Sequence, residues 1–237
     1  PVSALIHAAT MVAAGVYLII RTYFLFSPEM LDVIAFIGAI TAFMGAFVAV
    51  SQRDIKKVLA FSTISQLGYM FLSLGVGSID GAMFHLMTHA FFKACLFLGA
   101  GAGIYSLHKF EDKKGLKYDS QDMSLMGGLS KHMPTIFVFY VIAAIALVGL
   151  PFTSGFLSKE AILVVASNWG LERGGIYLLV PLLGILAVLM TAFYMGRQIF
   201  LVFFRENRLQ EKLKLSDKEF HTDKAPVLMR LPVVILG

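Results

Sequence analysis

The stretch FHLMTHAFFKACLFL, residues 84–98, sets two histidines and a lysine among leucines, phenylalanines and a methionine. It is apolar enough to lie in lipid, yet His85, His89 and Lys93 recur every fourth residue. On an α-helix each step of four turns about 400°, so the three share one face with a slow drift. Neighbours on that face stand about 6 Å apart along the axis, a gap that one or two waters bridge better than a direct hydrogen bond. Histidine exchanges a proton near neutral pH. Desolvation disfavours a charged ammonium, so a buried lysine releases its proton closer to neutrality than a solvated one. A titratable group at membrane depth costs a few kcal/mol on insertion scales, so it points to function by default.

The rest of the chain supports the membrane reading. Of its 237 residues 58% are apolar and only 15% charged, against roughly 25% charged in soluble domains. The charges crowd into a few short segments between long apolar runs. A large soluble all-helical core needs amphipathic helices with one polar face, and most runs here are apolar all round. The fold class is therefore all-α, a polytopic transmembrane helical bundle, with residues 1–237 as a single transmembrane domain. Cys95, alone in an apolar run, has no disulfide partner and reads as a small packing residue. The net charge of +5 comes from basic residues at helix ends, where topology explains them, and points to no nucleic-acid partner.

Apolar runs and turn signals predict helices at about 1–26, 33–50, 58–76, 81–107, 134–150, 153–166, 176–204 and 226–237. The last is cut about a dozen residues into a run that needs about 20 to span. Together with a start at Pro1, this makes the sequence read as an internal piece of a longer polypeptide. Loops 51–57, 108–132 and 205–225 fall on one side and hold most of the lysines and arginines, while the other side has Arg21 and Arg173. The positive-inside rule places the basic loops in the cytoplasm. Arg197, about two turns from a helix end, is expected to snorkel to that surface.

The region 134–166 is too long for one straight crossing. Its roughly 33 residues make a helix of about 50 Å, against a hydrocarbon core of about 30 Å. GLPFTSG, residues 149–155, interrupts it. Pro151 removes a backbone donor and clashes with the preceding turn, and Gly149 and Gly155 add backbone freedom. Two half-helices joined by an extended break are expected, and transporters place such breaks at ion sites.

Other polar groups lie within the apolar runs. Lys159 and Glu160 follow the break by about two turns and point about 100° apart, so each needs its own partner. Ser3, His7 and Thr10 share one side of the first helix. Ser62, Ser65, Gln66 and Tyr69 do so on the third. Either stripe can line a wet path, and serine and threonine also serve helix packing. His85 and His89 have a spacing that can chelate a metal, but no adjacent carboxylate or third ligand accompanies them. No phosphate loop, nucleotide fingerprint or nucleophile–base pair occurs.

Five segments together carry a family resemblance: PVSALIHAATMVAAGVYLI (1–19), DIKKVLAFSTISQLGYMFL (54–72), FHLMTHAFFKACLFLGAG (84–101), MGGLSKHMP (126–134) and GLPFTSGFLSKEAIL (149–163). They resemble the L-type, antiporter-like membrane subunits of proton-translocating NADH-quinone oxidoreductase, respiratory complex I, whose mitochondrial counterpart is subunit 5. The resemblance covers nearly the whole chain, as the second half of an antiporter-like bundle with one proline-broken helix. It implies a translocase subunit in the bacterial inner membrane with other membrane-arm subunits as partners. It places no redox group on this chain: FMN, iron–sulfur clusters and quinone belong to other subunits. His7 resembles the polar residue that joins two half-channels, and His85, His89 and Lys93 resemble the central hydrophilic axis. Lys159 resembles the lysine of the second broken helix, which passes protons toward the periplasmic exit, and Glu160 stands at an acidic position. The other half-channel and the long lateral helix lie outside this stretch. The alternative is the related subunit of multisubunit sodium/proton antiporters.

Overall fold

The computed structural model describes residues 2–8, 10–114, 119–206 and 226–236, helical throughout except for turns and one isolated β-bridge. Ten α-helices are seen among these residues: α1 Val2–Ala8, α2 Met11–Arg21, α3 Pro28–Ser51, α4 Ile55–Gly75, α5 Ile79–Lys114, α6 Leu129–His132, α7 Pro134–Val148, α8 Ser154–Arg173, α9 Leu179–Ile199 and α10 Val227–Leu236. Five stretches are long and apolar enough to cross a membrane: Val2–Arg21, Pro28–Ser51, Ile55–Gly75, Ile79–Glu111 and Gly175–Phe204. Their outward faces are apolar, as with Ile37, Ile40, Met44 and Phe47 on α3. In lipid only a helix satisfies its own backbone, which is why these runs fold this way.

Local chemistry fixes several helix starts. Ser27 accepts from the Met30 amide and Pro28 takes the first helical position of α3, where its missing N–H costs nothing. Asp54 Oδ1 accepts from the amides of Lys56 and Lys57 to cap α4. The same loop is tied to the next one on its side: Ile55 N donates to Gln121 O (3.0 Å) and Met123 N to Arg53 O (2.9 Å).

α3 and α4 pack with almost no side chain between them. α3 buries Ala35, Gly38, Ala39, Ala42, Gly45, Ala46 and Ala49, a seam of small residues three and four apart. A Cβ on Gly38 would stand 2.2 Å from Leu72 N, and one on Gly68 2.3 Å from Ala42 N. Small residues allow this backbone approach, the usual glue between membrane helices. α5 lies in the middle, packed by α1, α4, α7, α8 and α10. Cys95 is buried there.

Several boundaries differ from the sequence expectation. The first helix is not continuous to residue 26. Thr10 is not helical and the helix restarts at Met11, with the Thr10 hydroxyl donating to Leu5 O at 2.7 Å. A 3-10 turn at Tyr23–Leu25 follows. The fourth helix runs on to Lys114 and so takes up the start of the expected loop 108–132, because a helix continues into water after its apolar stretch ends. α6 occupies part of the same loop. The helix after the break extends past 166 to Arg173. Arg173 pairs with Asp32 at the start of α3 and lies over the Trp169 ring, 4.8 Å from its centroid. The next span opens with a 3-10 turn and closes with a π turn, Phe200–Phe204, whose Phe203 carbonyl accepts from Ser130 (2.8 Å). Arg197 reaches toward the end of the bundle that bears loop 51–57, where its guanidinium donates to the carbonyls of Val50 and Gln52, closing the end of α3. The expected helix start at Pro1 and most of loop 205–225 lie outside the described residues.

Candidate functional site

Between α7 and α8 the chain breaks from Gly149 to Thr153. Gly149 ends α7 in the left-handed region (φ 84°), and Phe152 also takes a positive φ (71°). Thr153 Oγ1 accepts from Phe156 N at 3.2 Å to start α8. Gly155 lets the two halves touch, since a Cβ there would stand 1.7 Å from Ala146 O. Pro151 has no N–H to offer the carbonyl four residues before it, Leu147. Lys159 takes that freed carbonyl: its ammonium donates to Leu147 O and lies 5.7 Å from the centre of the Tyr69 ring. A break made by proline thus becomes a seat for a cation, which the ring face also attracts.

His85 sits next along the bundle, fully buried. Its Nε2 pairs with Gln66 Oε1 at 3.0 Å and its Nδ1 with Ser158 Oγ at 2.8 Å. With the Gln66 oxygen accepting from Nε2–H, Nδ1 of the neutral ring accepts the Ser158 hydroxyl proton. On gaining a proton the ring donates at both nitrogens, and Ser158 turns its own proton to Gly155 O, 3.2 Å away. Both protonation states of His85 are therefore served by the same neighbours. Thr88 closes the group, donating to His85 O (3.2 Å) and lying 3.4 Å from Ser158 Oγ.

His89 follows one turn on, its ring centre 6.3 Å from that of His85 and 5.5 Å from Phe92. Neither ring nitrogen meets a hydrogen-bond partner among the described residues, although the Ala8 backbone lies close. A buried imidazole so placed suits bound water on both sides. Lys93 ends the stripe, also fully buried. Its ammonium donates to Ser62 Oγ and, at 3.1 Å, to Leu59 O. Buried charges persist where hydrogen bonds replace water in this way. Lys159 lies within electrostatic reach of both His85 and Lys93. The order Lys159, His85, His89, Lys93 makes one buried polar file through the centre of the bundle.

The remaining sequence candidates divide. Gln66 and Ser62 hold members of the file. Tyr69 gives its ring to Lys159 and its hydroxyl to Gly184 O. Ser65 does not line the file, because its hydroxyl donates to Ala42 O across the α3–α4 seam at 2.8 Å. His7 is half-buried and stacks on Phe97 with ring centres 5.4 Å apart. Ser3 is half-buried and Thr10 exposed. Glu160 is exposed on an open cavity of about 380 Å³ lined also by Lys159, Gly149, Ser167 and Asn168. The sequence reading missed Ser158 and Thr88. Thr88 stands three residues from His85 on the same face, a signal that was readable. Ser158 needed the crossing of α8 over α5. No group of three His, Cys, Asp or Glu side chains able to hold a metal occurs among the described residues.

The family described as "NADH:quinone oxidoreductase/Mrp antiporter, TM" matches residues 1–191. NAD(P)H-quinone oxidoreductase chain 5 of Picosynechococcus sp. is 45% identical over the whole chain, which covers 37% of that protein. NADH-quinone oxidoreductase subunit L of Escherichia coli is 47% identical over 88% of the chain and 32% of its own length. Subunit L of Rhodobacter capsulatus is 44% identical over the whole chain and 32% of its own length. The chain thus spans about a third of the curated relatives it matches. Among solved structures, a chain of the Mrp complex from Dietzia sp. shares the fold with a TM-score of 0.76 at 21% identity, over 98% of this chain and 48% of that one.

Proposed function

Because the chain belongs to the NADH:quinone oxidoreductase/Mrp antiporter transmembrane family, we propose that it is part of a proton-translocating membrane-arm subunit of NADH-quinone oxidoreductase. It relays protons through buried His and Lys residues and water, driven by quinone reduction elsewhere in the complex. The observation that carries this reading is the row of buried groups Lys159, His85, His89 and Lys93 in the centre of the bundle. Each member can hold or release a proton, and Lys159, His85 and Lys93 have neighbours that serve the charged form.

In this reading a proton moves by short hops. His85 takes one at Nδ1 while Ser158 swings to Gly155 O. Water carries it past His89, and the neutral amine of Lys93 accepts it against Ser62 and Leu59 O. Lys159, seated on the carbonyl freed by Pro151, exchanges with the opposite side. His7 joins the file from α1, beside the Ala8 backbone that approaches His89. Glu160 serves the outer end of Lys159's cavity, and Ser3 and Thr10 line the approach on the first helix. Quinone, FMN and iron–sulfur chemistry belongs to other subunits. The protein resides in a bacterial inner membrane, with loops 51–57, 108–132 and 205–225 cytoplasmic and other membrane-arm subunits against its lateral faces. Names of relatives at 44–47% identity support this over the sodium/proton antiporter alternative, which the family description and the shared fold keep as the second reading.

The test is proton pumping by the intact complex carrying His89→Ala or Lys93→Ala, measured in sealed vesicles at matched complex abundance. Both variants are expected to assemble, and Lys93→Ala to pump roughly tenfold slower, the effect of about 1.4 kcal/mol on a barrier. If both pump at the wild-type rate, the file is structural. Pumping that depends on sodium and not on quinone reduction favours the antiporter.

A further inference from the structure

Three buried polar groups that the central file leaves unused lie together on α9. Thr191, Tyr194 and Gln198 are all fully buried, and at spacings of three and four they share one face of the helix. The Tyr194 hydroxyl lies 3.4 Å from Thr191 Oγ1, which itself donates to Ala187 O at 2.7 Å. It also lies beside the hydroxyl of Ser62, the group that holds the Lys93 ammonium. Gln198 follows one turn on, and neither its Oε1 nor its Nε2 meets a hydrogen-bond partner among the described residues. A carboxamide offers two donors and two acceptor sites, and leaving them dry in an apolar interior costs more than a hydrogen bond returns.

Depth gives these groups a direction. Lys93 lies near the middle of α5, and Ser62 is seven residues inside the start of α4. Gln198 is six residues from Phe204, where the chain leaves its last turn on the side of loop 51–57. One turn past Gln198, Val202 lines a small enclosed cavity together with Ile55, Gly103, Met126 and Tyr140. Its volume is about 10 Å³, close to the room that one water needs. Tyr140, which also lines it, has a buried hydroxyl that lacks a hydrogen-bond partner among the described residues.

We infer that Tyr194 and Gln198 form a second branch of the proton path, which links Lys93 through bound water to the membrane face bearing loop 51–57. This rests on the relay reading above. Gln198 orients the water and does not itself carry the proton. Tyr194 accepts a proton on its oxygen from that water, which regains one from the membrane face, as it gives its own to Ser62. Ser62 passes one to the neutral amine of Lys93, so both hydroxyls end as they began and the lysine gains one proton. Thr191 is a positioning residue that holds the phenol in register.

Two variants of the intact complex test the branch. Tyr194→Phe removes one oxygen, and Gln198→Leu removes both water-holding atoms at similar size. Each is expected to slow pumping roughly three- to tenfold at matched abundance, and Gln198→Glu, which still holds water, to recover most of it. A cryo-EM map of the wild-type complex is expected to show water within hydrogen-bond distance of the Gln198 amide, and the Gln198→Leu map to lack it. If Lys93→Ala slows pumping while Tyr194→Phe and Gln198→Leu pump like wild type, the branch is wrong and the relay stands. If Lys93→Ala also pumps normally, both fall. Should Gln198→Leu fail to assemble, Tyr194→Phe decides: wild-type pumping overturns the branch and slowed pumping supports it.

Discussion

Two polar stripes share one sequence pattern and reach different ends. On α5, His85, His89 and Lys93 recur every four residues and are fully buried. On the first span, Ser3, His7 and Thr10 recur at four and three, yet Ser3 and His7 are half-buried and Thr10 is exposed. The helix under that stripe also breaks before Met11. Spacing tells which side chains share a face, and only the neighbours decide whether the face is covered. Among the described residues α5 has six helices against it, whereas α1 and α2 rest chiefly on α5, α4 and each other. The same difference separates adjacent residues on α8. Lys159 turns inward to Leu147 O, and Glu160, about 100° around, turns out to an open cavity.

The contrast is broken most severely where the cover over α5 is attached. Gly155→Ala sets a Cβ against the Ala146 carbonyl, a backbone atom that cannot swing aside. Overpacking of this kind costs about 1–3 kcal/mol and sometimes more, and here the upper end is expected. Complex abundance on native gels should fall sharply. Gly196→Ala, with nothing within 4 Å of its Cβ, should leave abundance unchanged. Equal effects would mean that the approach of α8 to α7 does not hold the cover in place.

A smaller effect is expected at Ser158→Ala, which takes from His85 the hydroxyl that serves both of its protonation states. Pumping should drop several-fold with assembly intact, and its pH profile should shift, because the neutral and protonated rings no longer share one partner. An unchanged profile would reduce Ser158 to packing. The smallest effect belongs to Thr10→Val. Its residue is exposed and its hydroxyl is bonded to Leu5 O, so stability should move within about 0.5 kcal/mol and pumping should fall by less than about twofold. A large loss there would show that the first stripe is covered in the assembled complex and would erase the contrast.

Much of this arrangement was legible in the residues. The α5 face follows from its period, and the break from Gly149 and Pro151, two strong disruptors of a helix. The extents were less legible. Lys109 and Glu111 read as loop because charge marks the exit from lipid, while the helix itself runs on to Lys114. Ser167, Asn168 and Gly170 read as a stop, although propensity is a weak prior and packing of Trp169 and Arg173 carries α8 through them. The break before Met11 has no glycine or proline to announce it. Ser62 and Ser65 looked equivalent on one stripe. The α3–α4 seam claims Ser65 and the file claims Ser62, a division set by tertiary packing alone.

The central claim is that the buried file carries protons and is not a row of fixed charges. Lys159 tests it most directly, because its seat on Leu147 O accepts from any group that can donate. In the Lys159→Glu variant a protonated carboxyl can donate there too, and burial disfavours its ionised form, so it can titrate near neutral pH. Arginine keeps its charge at every accessible pH. Pumping by Lys159→Glu and Lys159→Arg, in sealed vesicles at matched complex abundance, should therefore rank the glutamate variant above the arginine variant. Full pumping by arginine with none by glutamate would mean that Lys159 serves as a fixed charge, and the relay through it would be wrong.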